Sequence, residues 1–147
     1  MPIATRNAEV TWDGSLARGS GTLSSGSHAL LDLPVTWAAR TKGPEGKTSP
    51  EELIAAAHAT CFTMALALVL GEANAPPERL STSADCVLTE VDGAPRITEV
   101  ALRVRAHVGS IGEEAFTQAV ANAAALCPVS NALRGNVEIS IDAALES

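Results

Sequence analysis

Apolar and polar positions alternate most regularly near the middle of the chain. Val100, Leu102, Val104, Ala106 and Val108 face one way, with Glu99, Arg103, Arg105 and His107 opposite. A period of two marks a half-buried strand, so Arg96 to Val108 is predicted as one. Ser83 to Val91 is predicted as its partner, joined through Asp92-Gly93, a pair with hairpin-turn chemistry. Val137, Ile139, Ile141 and Ala143 alternate along a last strand. Near the start, Glu9 to Trp12, Arg18 to Ser24 and His28 to Val35 read as extended segments. Asp13-Gly14 and Ser25-Gly26-Ser27 separate them as turns.

Between these groups the period changes. Ser49-Pro50-Glu51-Glu52 supplies a capping residue, proline at the first helical position and Glu three residues after the cap. The helix it opens runs to a stop at Gly71. Leu53 to Leu70 is eighteen residues without a formal charge, the lower limit for a membrane span. His58, Thr60 and Thr63 interrupt it, Ala dominates it, and Glu51, Glu52 and Glu72 flank it with no adjacent basic anchor. It is therefore expected to be the central helix, packed on every side. Gly112 to Leu126 is predicted as a second helix, with Phe116, Ala119, Val120 and Ala123 on one face. Arg40 to Ser49, rich in Gly, Pro and charge, is expected to be a loop long enough to suggest a function. The order βββ-α-ββ-α-β predicts an α+β fold with antiparallel sheets around a central buried helix. Residues 1–147 are expected to form a single domain.

Composition sharpens this picture. Ala accounts for 27 of the 147 residues, and Trp12, Trp37, Phe62 and Phe116 are the only aromatics. A core of such small pieces offers little bulk per residue, so a second copy of the chain is expected to cover some apolar surface. The net charge of −7, with no cluster of Lys or Arg, excludes the electrostatic footprint of a nucleic-acid or anionic-membrane binder. No basic segment followed by an apolar run suggests a signal peptide. Cys61, Cys86 and Cys127 are odd in number and widely spaced. That is neither a disulfide framework nor a zinc spacing, and a reducing cytoplasm is expected.

The three cysteines differ in context. Cys86, flanked by Asp85 and Val87 in a strand, reads as a small core hydrophobe. Cys61 lies inside the central helix between Thr60 and Phe62. The helix start is about ten residues back, roughly 15 Å, so its dipole alone cannot ionise this thiol. A cation from another segment is required. Arg40, Lys42 and Lys47 lie just before the helix, and Glu51 and Glu52 could hold an arginine by a charge-assisted pair. Capping and dipole complementarity account fully for Glu52 and compete with that reading for Glu51. Cys127 ends the second helix before Pro128, which disfavours regular helix at Cys127 and makes it the N-terminus of any new turn, where a thiolate is favoured. Both thiols are compatible with an inward direction. His58, three residues before Cys61, reads first as a core or interface histidine.

Three stretches together resemble the OsmC/Ohr family of thiol-dependent peroxidases, most closely its OsmC branch. They are Thr48-Ser49-Pro50-Glu51-Glu52-Leu53-Ile54, Ala55-Ala56-Ala57-His58-Ala59-Thr60-Cys61-Phe62 and Cys127-Pro128-Val129-Ser130. The resemblance implies an intertwined homodimer and a peroxidase needing no metal or cofactor. Cys61 matches the peroxidatic cysteine, oxidised to a sulfenic acid by organic hydroperoxides and less readily by hydrogen peroxide. Cys127 matches the resolving cysteine, and a dithiol such as a dihydrolipoyl group recycles the disulfide. Glu51 and Arg40 match the carboxylate and arginine beside the thiol, with Arg18 the alternative arginine by analogy with the Ohr branch. Two other classes compete: a non-catalytic redox sensor or small-molecule binder using the dimer-interface pocket, and a Cys61–His58 hydrolase, for which no third orienting group is evident.

Overall fold

Both Asp-Gly pairs turn the chain as their chemistry requires. Gly14, Asp92 and Gly93 take φ of 94°, 52° and 79°, and two successive positive values at Asp92-Gly93 suit a tight hairpin. The computed structural model describes residues 1–146. It divides into two units, residues 1–53 and the residues from Ile54 onward, with the boundary falling inside the long helix.

The first unit holds an antiparallel sheet of β1 (Ala8–Asp13), β2 (Ser20–Ser25) and β3 (Leu33–Val35), in that order. Trp12 pairs with Gly21, and a Cβ at Gly21 would meet the indole at 2.8 Å, so only glycine fits beneath the ring. β3 is shorter than the extended segment predicted from His28. His28 and Asp32 have positive φ, and Ser25 Oγ accepts a hydrogen bond from the Leu30 N–H, which makes a turn there. A short helix α1 (Trp37–Thr41) occupies the start of the expected loop. Thr36 caps it by accepting from the Ala39 N–H at 3.1 Å.

α2 (Pro50–Glu72) starts where predicted, with Ser49 Oγ accepting from the Glu52 N–H at 3.1 Å. Its threonines are satisfied internally: the Thr60 and Thr63 hydroxyls donate to the carbonyls of Ala56 and Ala59. Phe62, Leu66 and Leu70 on one face are fully buried. Another stripe is not. Ala57, Thr60, Met64 and Leu68 are exposed, Met64 at 69% and Leu68 at 55%. Within one chain the helix is therefore packed on one side only, whereas its all-round apolarity predicts cover on every side.

The second sheet contains β4 (Arg79–Val91), β5 (Ala94–His107) and β6 (Glu138–Leu145), in that order. The predicted alternation holds: Val100, Leu102, Val104 and Ala106 are buried. β6 lies parallel to β5, pairing Leu102 with Ile141, which corrects the expectation of antiparallel pairing throughout. The reason is the connection. The chain leaves β5 through α3 (Glu113–Leu126) and α4 (Pro128–Leu133), and a crossover of that length returns it to pair in parallel. Phe116, Ala119 and Ala123 of α3 join Phe62, Leu66, Leu70, Val100, Leu102 and Val104 in one core.

Candidate active site

Pro128 shapes the first part of the site. It holds Cys127 in an extended conformation (φ −63°, ψ 113°), which ends α3 and opens α4. Cys127 thus caps α4, and the Ser130 N–H donates to its sulfur at 3.5 Å. The residue is fully buried. Cys61, half-buried on α2, packs against the same core. The two thiols lie within hydrogen-bonding reach of each other, and the Val129 N–H is directed at both sulfurs.

The two sulfurs are held differently. Burial pushes the Cys61 thiol up, partly offset by the Val129 N–H, while Cys127 adds to the rise by hydrogen bonding and repulsion. Burial also opposes ionisation of Cys127. There the Ser130 hydroxyl, the Ser130 N–H, the Cys61 thiol and the Val129 N–H outweigh it and bring the thiol below its ordinary value. The lowering at Cys127 comes first from the Ser130 hydroxyl, and the N–H groups at the start of α4 add to it. For Cys61 the Val129 N–H does not outweigh burial.

His58 is buried, and burial lowers its pKa, favouring the neutral ring. Its Nε2 lies 2.7 Å from Ser130 Oγ. Ser130, also buried, is the residue the sequence reading passed over. Its signal was its position, three residues after a cysteine capping a proline-led turn, where backbone and hydroxyl can both reach the cap.

In the first unit, Arg40 in the last turn of α1 grips Glu51. Nε donates to Oε1 and Oε2 at 3.1 and 3.2 Å, and Nη2 donates to Oε1 at 2.8 Å. The guanidinium also sits 5.8 Å from the centre of the Trp37 ring. Glu51 is buried and Arg40 half-buried. This is the charge-assisted pair envisaged for Glu51, and it leaves Nη1 outside. Arg40 borders a cavity of about 320 Å³ lined chiefly by Val10, Trp12, Leu16, Leu23, Val35, Trp37 and Leu53. Arg18 lies in the exposed turn after β1, its N–H bonded to Ser15 Oγ. Cys86 packs half-buried against the core of the second unit. Among the described residues no cluster of three His, Cys, Asp or Glu side chains is placed to hold a metal ion.

Two neighbouring thiols, one buried among donors and one half-exposed, form a pair chemically able to cycle with a disulfide. The affiliation of the chain is specific. The OsmC family profile, described as OsmC-like protein, matches residues 43–142. The chain is 42% identical to Peroxiredoxin OsmC of Escherichia coli (strain K12) over 97% of each chain. It is 30% identical to the organic hydroperoxide resistance protein OhrA of Bacillus subtilis (strain 168), over 86% of this chain and 89% of that one. A crystal structure of an organic hydroperoxide resistance protein OsmC from Legionella pneumophila superposes with a TM-score of 0.74 at 26% identity, covering 98% of this chain and 99% of that one. The chain belongs to the OsmC family.

Proposed function

We propose that the chain, a peroxidase-type enzyme of the OsmC family, reduces organic hydroperoxides, and hydrogen peroxide less well, with Cys61 as peroxidatic and Cys127 as resolving cysteine. The observation that carries this reading is the contact between a half-exposed and a fully buried thiol. Exposure selects Cys61 for attack, because a peroxide cannot reach the buried sulfur. Cys61 gives up its proton, and its thiolate attacks the terminal oxygen of ROOH. The O–O bond breaks, RO⁻ leaves and is protonated to ROH, and Cys61 becomes a sulfenic acid. Cys127 then forms the disulfide with loss of water, which protects Cys61 from sulfinic acid. A dithiol such as a dihydrolipoyl group returns both thiols.

Arg40 is assigned to stabilise the Cys61 thiolate and the developing oxygen charge, and Glu51 to orient it. The resemblance and the ordered Arg40–Glu51 pair support these roles. The apolar cavity beside Arg40 has the size and lining to take the organic part of a hydroperoxide. We assign the whole chain to one domain, because the family match crosses the boundary between Leu53 and Ile54. The exposed Met64 and Leu68 stripe of α2, with Val10, Leu16 and Leu31 of the first unit, favours a homodimer. A cytoplasmic location suits the reduced pair of thiols.

Turnover of cumene hydroperoxide with dithiothreitol or dihydrolipoamide tests the assignment. Wild type should turn over and Cys61→Ser should not; equal rates overturn it. Light scattering should give a dimer mass, lowered by Leu68→Glu, and a monomeric wild type would refute the homodimer.

A further inference from the structure

The peroxide chemistry leaves His58 without a task, although it is fully buried. Its Nε2 reaches across from α2 to the hydroxyl of Ser130 at 2.7 Å. Ser130 in turn directs its N–H, at 3.5 Å, and its hydroxyl to the sulfur of Cys127. Ser130 is itself 1% exposed, so bulk water does not compete for these bonds. Three side chains from α2, α4 and the α3–α4 junction thus form one line ending on the resolving thiol.

We propose that His58 is a positioning residue for the resolving step: neutral and protonated on Nε2, it holds the Ser130 hydroxyl with its proton on the Cys127 sulfur, so that Cys127 meets the Cys61 sulfenic acid as a thiolate. The inference rests on the peroxidase reading above. The hydrogen-bond accounting selects the tautomer. A hydroxyl has one proton to give. If Ser130 gave it to Nε2, the sulfur would lose its donor and the proton on Nδ1 would be buried unpaired. With the proton on Nε2 instead, His58 donates to Ser130 and Ser130 donates to Cys127. Nδ1, which has no hydrogen-bond partner among the described residues, then keeps only a lone pair. Burial of the ring disfavours the imidazolium and so preserves this direction.

The step balances within the chain. The Cys127 thiolate attacks the Cys61 sulfur, an S–S bond forms and the S–O bond breaks. The oxygen leaves with the electron pair and takes up the equivalent of the proton Cys127 released, giving water. Besides burial, the groups acting on Cys127 are Ser130, Cys61 and Val129, and of these Cys61 alone titrates. A tenfold loss of thiolate is partly offset by the greater nucleophilicity of a less acidic thiol, leaving attack about threefold slower.

The test has two arms. In a chain carrying Cys61→Ser and Cys86→Ser, thiolate absorbance near 240 nm against pH reads Cys127 alone. Ser130→Ala and His58→Leu should each raise the midpoint, and His58→Gln, which keeps an N–H donor, should restore it towards the parent. With both catalytic cysteines present, quenched flow after one equivalent of cumene hydroperoxide should show disulfide forming about threefold slower in Ser130→Ala, with more Cys61 sulfinic acid by peptide mass spectrometry. Should His58→Leu not fold by circular dichroism, Ser130→Ala and His58→Gln carry the test. An unmoved midpoint in Ser130→Ala overturns the inference whatever the turnover. A moved midpoint without peroxide consumption upholds the hydrogen-bonded line and overturns the peroxidase reading instead.

Discussion

The two units of the chain handle their chemical groups in opposite ways. From Ile54 onward, the thiols sit against a core of Phe62, Leu66, Leu70, Val100, Leu102, Val104 and Phe116, and their donors come from the same packed elements. In residues 1–53, Leu23 is the one buried large apolar side chain among the described residues, and all six residues of β1 are exposed. Yet among the described residues this thinly packed unit holds the ion pair with the most hydrogen bonds, Arg40–Glu51, with three. A thiolate in a core needs fixed N–H and O–H donors to offset desolvation, and the packed elements around it provide them. A guanidinium needs only one carboxylate of matching shape, because the bidentate fork fixes its own geometry.

This contrast can be broken or sharpened by substitution. The largest effect on stability is expected from Phe62→Ala, at about 3–5 kcal/mol, read from urea unfolding. A loss below about 1 kcal/mol, the cost of a single helix cap, would mean that the second unit is not organised around this ring. Arg40→Ala should lower kcat/KM for cumene hydroperoxide by roughly a hundredfold, the scale for one well-placed charge donor. Its unfolding midpoint should barely move, and a large shift would make the pair structural instead.

The third prediction concerns pH. The folded pKa of His58 lies below the ordinary 6.5, so in that window the unfolded chain binds a proton that the folded chain refuses. The histidine's contribution is fully present above pH 6.5 and is lost as pH falls through the folded pKa. Urea midpoints between about pH 5 and 7.5 should therefore rise with pH, and His58→Gln should flatten that slope. A slope that persists in the variant would assign it elsewhere. The smallest effect is expected from Ser49→Ala, which removes the α2 cap and should cost about 1 kcal/mol in the same unfolding assay.

The chain's local chemistry was legible where neighbours in sequence decide the outcome. The Ser49 cap, the Asp92-Gly93 turn, the alternation from Val100 to Ala106 and the break at Pro128 all appear where their residue types require. α1 was missed because Thr36 starts only five residues of helix, too few to show a period. The shortening of β3 was missed because Ser25 Oγ, across the turn, competes for its backbone.

What the sequence determined by itself is the order of the strands and of the two long helices, and the positions of Cys61 and Cys127 upon them, since caps, turns and periodicity act over a few residues. Tertiary structure alone decided that β6 runs parallel to β5, that one stripe of α2 stays exposed, and that Ser130 stands between His58 and Cys127. His58 and Ser130 are 72 positions apart. A contact over that separation depends on how α2 and α4 pack, and no local preference of either residue encodes it.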